Sequence, residues 1–76
     1  MMFDKKLFGS HIRDLRLANE LKQEDLGNAL SVTKATISRI ESGDRAPSLE
    51  SMLALADYFN VSLDYLVGRS DEPERR

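Results

Sequence analysis

Lys34, Ala35, Thr36, Ser38 and Arg39 stand together in the stretch TKATISRIESG, residues 33–43. Two are cationic donors, two carry hydroxyls, and Ala35 offers a bare methyl. If the stretch is helical, Ile37 and Ile40, three apart, turn to one side and the other five point elsewhere. Such a face suits the major groove of duplex DNA, where guanine presents O6 and N7 as acceptors and thymine a methyl. On an arbitrary helix the same residues are ordinary solvated charge. The elements around them must decide.

No competing chemistry is evident. There is no cysteine and a single histidine, which excludes a disulfide framework and a Cys-based zinc site. Ser10, His11 and Asp14 would lie on one helix, where they cannot supply a nucleophile, an oriented base and an oxyanion site together. His11 is expected at the surface. The carboxylates are scattered at helix starts, with no acid and base pair. Neither an enzyme, nor a cofactor, nor a metal is expected. No apolar run approaches the roughly 18 residues that span a bilayer. The start MMFDKKLFGS lacks the apolar stretch of a signal peptide. A cytoplasmic protein with no membrane association is expected.

The net charge is −2, which argues against a nucleic-acid partner at first sight. Its distribution is uneven. Residues 1–45 hold eight basic and seven acidic side chains, whereas residues 46–76 hold three basic and six acidic. The basic groups lie mostly in the first two thirds, which permits a local electrostatic footprint without demonstrating one.

The 76 residues form one domain of short helices. Asp4 caps a helix over about residues 5–18, with Phe8, Ile12 and Leu15 on one buried stripe. A second helix runs from Gln23 to Leu30, with Glu24 and Asp25 in its first turn, where the helix dipole favours negative charge. After Ser31, Val32 and Thr33, a third helix covers about residues 34–41, capped by Thr33 and stopped by Gly43. Ser48 caps a fourth, whose apolar stripe reads Leu49, Met52, Leu53, Ala56 and Phe59. Asn60 ends it. Ser62 caps a short fifth helix, LDYLV, and Gly68 stops it. The second and third helices are too closely joined to pack antiparallel, so they cross steeply and need a small residue at the crossing. Gly27 fills that role; an interior glycine otherwise costs a helix about 1 kcal/mol.

Residues 23–42, QEDLGNALSVTKATISRIES, resemble the twenty-residue helix-turn-helix of the XRE and phage-repressor family. The likeness continues through LESMLALADYFNVSLDYLVGR and covers about residues 7–69. Matched positions include Leu21, Gln23, Leu26, Gly27, Leu30, Val32, Ile37, Ile40, Glu41, Gly43, Pro47, Leu53, Ala56, Val61, Leu63 and Leu66. Two positions depart from the pattern. Ser31 stands where the family usually has a turn glycine, so the turn must hold a side chain in the left-handed region. Glu20 replaces another frequent glycine, and Asn19 is expected to take the left-handed conformation in its stead.

The resemblance implies an all-α, compact five-helix lambda-repressor-like DNA-binding domain over residues 1–69, with a charged, disordered tail at 70–76. It implies a sequence-specific transcriptional regulator, a repressor that binds double-stranded operator DNA at an inverted repeat as a homodimer. The third helix would read bases through Lys34, Ala35 and Arg39, with Thr36 and Ser38 beside them. Phosphate contacts would fall to Gln23, Arg45, Ser42, Arg13 and Thr33. Glu41 is structural, pairing with Arg16 or Arg45. Leu55, Tyr58, Tyr65 and Leu66 form the expected self-association surface. The alternative is an antitoxin or anti-repressor acting mainly through protein contacts of the last two helices.

Overall fold

Each helix begins where a side-chain acceptor meets free backbone N–H groups. Asp4 Oδ1 accepts from Lys6 N at 3.0 Å and Leu7 N at 3.1 Å, and α1 follows over Lys5–Ala18. Asp25 reaches back to accept from Lys22 N at 2.9 Å at the start of α2, Gln23–Leu30. Thr33, Ser48 and Ser62 cap α3 (Lys34–Ser42), α4 (Leu49–Phe59) and α5 (Leu63–Leu66) by accepting from Thr36 N, Ser51 N and Tyr65 N at 3.1, 3.1 and 3.0 Å. The computed structural model describes residues 3–74, and among these there is no strand. None of these helices is long and apolar enough to cross a membrane.

The expected tail at 70–76 lies partly outside the described residues. Within them the chain turns back, and the Pro73 carbonyl accepts from Ser62 N at 3.0 Å.

The core joins all five helices. Phe8 and Ile12 come from α1, Leu26 from α2, Ile37 and Ile40 from α3, Leu55 and Ala56 from α4, and Leu66 from α5, with Val61 between the last two. Fully burying an apolar side chain of this size contributes roughly 1.5–3 kcal/mol, which is what holds such short helices in place. At Gly9, α1 lies directly against the α3 backbone. A Cβ on Gly9 would lie 2.1 Å from the Ile40 carbonyl oxygen. Gly27 serves the crossing expected of it: a Cβ there would lie 2.8 Å from the Val32 oxygen.

The structure corrects four expectations. On α4 the inward stripe is Met52, Leu55, Ala56 and Phe59; Leu49 and Leu53 are instead 62% and 47% exposed. Both stripes share Met52, Ala56 and Phe59, and helical spacing alone does not choose between them. Leu55 and Leu66 are wholly buried, so neither offers a side chain to a partner. Near residue 20 the left-handed conformation falls on Glu20 itself, at φ 57°, while Asn19 closes α1 at φ −95°. Asn19 is held there because its backbone N–H still bonds the Leu15 and Arg16 carbonyls. His11 is half-buried; its ring stacks on Tyr65 at 4.6 Å, and Nδ1 lies 3.2 Å from the Leu66 carbonyl oxygen.

Candidate nucleic-acid interface

The turn between α2 and α3 sets the direction of α3. Ser31 takes the left-handed conformation, φ 59° and ψ 38°, as expected at this position. Val32 N then bonds the Gly27 carbonyl at 2.9 Å and swings the chain across α2. Ile37 and Ile40 are buried beneath the crossing, which fixes the rotation of α3 about its axis.

That rotation exposes Lys34, Ala35, Ser38, Arg39 and Ser42. At about 100° per residue, Ala35, Ser38, Arg39 and Ser42 share one outward face, with Lys34 at its edge. Thr36 falls on a different side. It is half-buried, and its hydroxyl lies 3.0 Å from that of Thr33. The structure therefore groups four of the five expected base-reading residues and separates the fifth.

The expected phosphate residues fare unevenly. Arg13, from α1, shares an open cleft with Ser38 and Ser42. Arg45 is exposed just beyond α3. Ser42 donates its hydroxyl hydrogen to the Arg39 carbonyl at 3.1 Å, so in this rotamer it has no donor left for a phosphate, which is itself an acceptor. Thr33 Oγ1 is occupied as the α3 cap. Lys22, which the sequence pattern does not single out, is exposed in a second cleft with Gln23 and Lys34. Its position next to Gln23 was the available signal.

A polar node lies behind this surface. Arg16 Nε donates to Glu41 Oε2 at 2.6 Å and Nη2 to Glu41 Oε1 at 3.0 Å. Arg16 Nη1 donates to the Leu21 carbonyl at 2.8 Å, and Gln23 Nε2 donates to Glu41 Oε1 at 3.2 Å. Of the two partners left open for Glu41, the structure selects Arg16. The bond to Glu41 raises the Arg16 pKa further above its ordinary value than burial lowers it. One ion pair thus ties α1, the start of α2 and the end of α3.

A family model described as helix-turn-helix matches residues 12–66. The chain belongs to the XRE and phage-repressor helix-turn-helix family. This family is one of transcriptional regulators, not of enzymes. The helix-turn-helix chain is 38% identical to the cryptic phage CTXphi transcriptional repressor RstR of Vibrio cholerae over 65 residues, which is 86% of this chain and 59% of that one. It is 34% identical to the ImmF control region 10 kDa protein of Bacillus phage phi105 over 65 residues, 86% of this chain and 72% of that one. Among solved structures, the P22 c2 repressor in complex with a synthetic operator superposes with a TM-score of 0.77 at 32% identity, covering 83% of this chain and 96% of that one. The restriction-modification controller protein C.AhdI of Aeromonas hydrophila gives a TM-score of 0.75 at 32% identity, with the same coverage. The helix-turn-helix chain spans about three fifths of the length of RstR and of YobD from Bacillus subtilis, at 59% and 61%.

Proposed function

We propose that this protein is a sequence-specific, double-stranded DNA-binding transcriptional regulator, a repressor, acting in the cytoplasm. It binds an inverted repeat as a homodimer, with α3 of each subunit in the major groove of one half-site. The observation that carries this is the outward face of α3: among the described residues, neither Lys34 nor Arg39 has a side-chain hydrogen bond or ion pair. Their donors are left for an outside acceptor, while the two isoleucines behind them anchor the helix.

In this reading Lys34 and Arg39 donate to guanine edges, Ala35 contacts a thymine methyl, and Ser38 bonds a base or a phosphate. Thr36, turned aside, supports the Thr33 cap. Arg13, Lys22, Gln23 and Arg45 take phosphates, which fix register without reading sequence. Half-site centres stand about one helical turn apart, ~34 Å. Bound at a promoter, the protein represses by excluding polymerase. The RstR and P22 relatives, a repressor and an operator complex by name, support this assignment.

Self-association uses the exposed flank of α4, Leu49 and Leu53, beside a cleft that Leu53 shares with Leu63. Tyr58 is 44% exposed, but it sits about 180° around α4 from Leu49 and joins a different patch. The same Leu49 and Leu53 flank supports the second reading, an antitoxin or anti-repressor that acts through protein contacts.

Selection of bound duplexes from a random-sequence pool tests the proposal. A palindromic consensus is expected. A pool that shows no sequence enrichment would exclude specific DNA binding and favour the protein-contact reading.

A further inference from the structure

Gln23 has two amide N–H donors, and among the described residues only one of them is used, toward Glu41 Oε1 at 3.2 Å. We propose that Glu41 is a positioning residue for DNA binding, aiming the Gln23 amide so that its second N–H meets a backbone phosphate. The inference rests on the DNA-binding reading above and adds to it a residue that need not touch DNA.

A free glutamine amide can present either its oxygen or its nitrogen, and only the nitrogen is useful to a phosphate. Glu41 removes that ambiguity. An ionised carboxylate only accepts, so it selects the NH2 end of Gln23 as its neighbour. Glu41 is itself held. Arg16 grips both of its oxygens from α1, at 2.6 and 3.0 Å, and its side chain is 4% exposed. Arg16 also holds the Leu21 carbonyl, two residues before Gln23, so the backbone and the side chain at the start of α2 are placed by one guanidinium.

The arrangement meets two requirements of a phosphate contact. A carboxylate near the DNA surface would repel phosphate, and the Arg16 charge beside it cancels that field. A flexible glutamine loses rotamer freedom on binding, and the bond to Glu41 removes much of that freedom beforehand. Gln23 also lines both clefts of the surface, with Lys22 and Lys34 in one and Arg13 and Ser38 in the other.

The test uses the intact protein and one duplex of about two helical turns, recovered from a random-sequence pool. Affinity is measured over a salt series for the parent, Gln23→Met, Glu41→Gln, the double variant and Arg39→Ala, with folding checked by circular dichroism. Gln23→Met keeps the side-chain length and removes the donors. It is expected to bind about tenfold more weakly, as for a lost hydrogen bond to a charged group. Because a neutral amide displaces no counterion, the loss should be the same at every salt concentration. Glu41→Gln should produce a similar loss, and the double variant should be no worse than either single one. Parental affinity in Gln23→Met, or single effects that multiply in the double variant, would overturn the inference. If Glu41→Gln does not fold, the Arg16→Met/Glu41→Leu double variant, which leaves no lone buried charge, takes its place and should show the same loss; parental affinity in it would overturn the inference. A parental affinity in Arg39→Ala removes the proposed α3 face, and a pool that yields no duplex removes the DNA-binding reading; either takes this inference with it.

Discussion

The Arg16 guanidinium and the Glu41 carboxylate face each other side-on between α1 and α3, with Nε to Oε2 at 2.6 Å and Nη2 to Oε1 at 3.0 Å. Both are largely removed from water, at 11% and 4% side-chain exposure. Removing one partner of such a pair leaves an uncompensated buried charge and costs about 3–5 kcal/mol. A domain of this size has only ~3–5 kcal/mol in hand. Arg16→Met and Glu41→Leu should each be largely unfolded at room temperature. The double variant should lose less than either single one, because no lone charge remains. Urea denaturation of the four proteins gives the comparison, and losses that simply add would mean the two residues are not coupled.

Gly9 meets the α3 backbone rather than a side chain. Gly→Ala in a helix interior ordinarily gains about 1 kcal/mol. Here the added methyl would sit 2.1 Å from the Ile40 oxygen and 2.7 Å from that of Glu41. Gly9→Ala should therefore destabilise, by more than ~2 kcal/mol, because α1 must lift away from α3. A melting temperature at or above the parent's would refute the close crossing.

Glu20 and Ser31 hold the left-handed conformation at φ 57° and 59°, a region that costs an L-residue about 1–2 kcal/mol. Glycine removes that strain and returns part of the gain as unfolded-chain entropy. Glu20→Gly and Ser31→Gly should each raise the melting temperature by a few degrees, as expected for ~0.5–1 kcal/mol in a domain this small. Thermal melts followed at 222 nm would detect it, and a drop in either variant would contradict the strain.

Arg39 and Arg13 should fail differently in DNA binding. Arg39→Ala should weaken binding by about 1–3 kcal/mol and relax base preference at one position of each half-site. Arg13→Ala should weaken all sequences alike and reduce the salt slope by about one contact per subunit. Titrations of a selected duplex and a scrambled duplex at several salt concentrations separate these effects. Identical behaviour of the two variants would break the division between reading and positioning.

Leu53 is the exposed apolar residue nearest the α5 cleft. Leu53→Glu should leave the fold intact, since the side chain is 47% exposed, and weaken self-association at least tenfold. Sedimentation across a concentration series measures it. A variant that associates like the parent would move the interface elsewhere.

Much of the fold was written in local signals. Asp4, Thr33, Ser48 and Ser62 mark their helix starts because a short side-chain acceptor before an apolar period has one favoured use. Gly43 and Gly68 mark ends because they reach positive φ readily, at 80° and 84°. The outward set on α3 was legible for the same reason, Ile37 and Ile40 leaving one inward solution, except for Thr36, which lies to the side against Thr33. Where the sequence allowed two solutions, it misled. On α4 an extra pair of leucines makes the stripe wide enough to fit two phases, and the expected phase sets Leu49 and Leu53 inward in place of Leu55.

What the sequence by itself determined is therefore the helices, most of their caps and most of the surface that α3 presents. These follow from interactions within about one turn of chain. Only the tertiary structure decided which α4 leucines are buried, that Gly9 lies against the α3 backbone, and that Arg16 rather than Arg45 holds Glu41. It also decided that Gln23 shares that carboxylate. Each of these joins residues 18 or more positions apart or depends on the rotation of one helix against another. Spacing along a single chain carries no information about that rotation, because it is set by how whole apolar faces fill a common core.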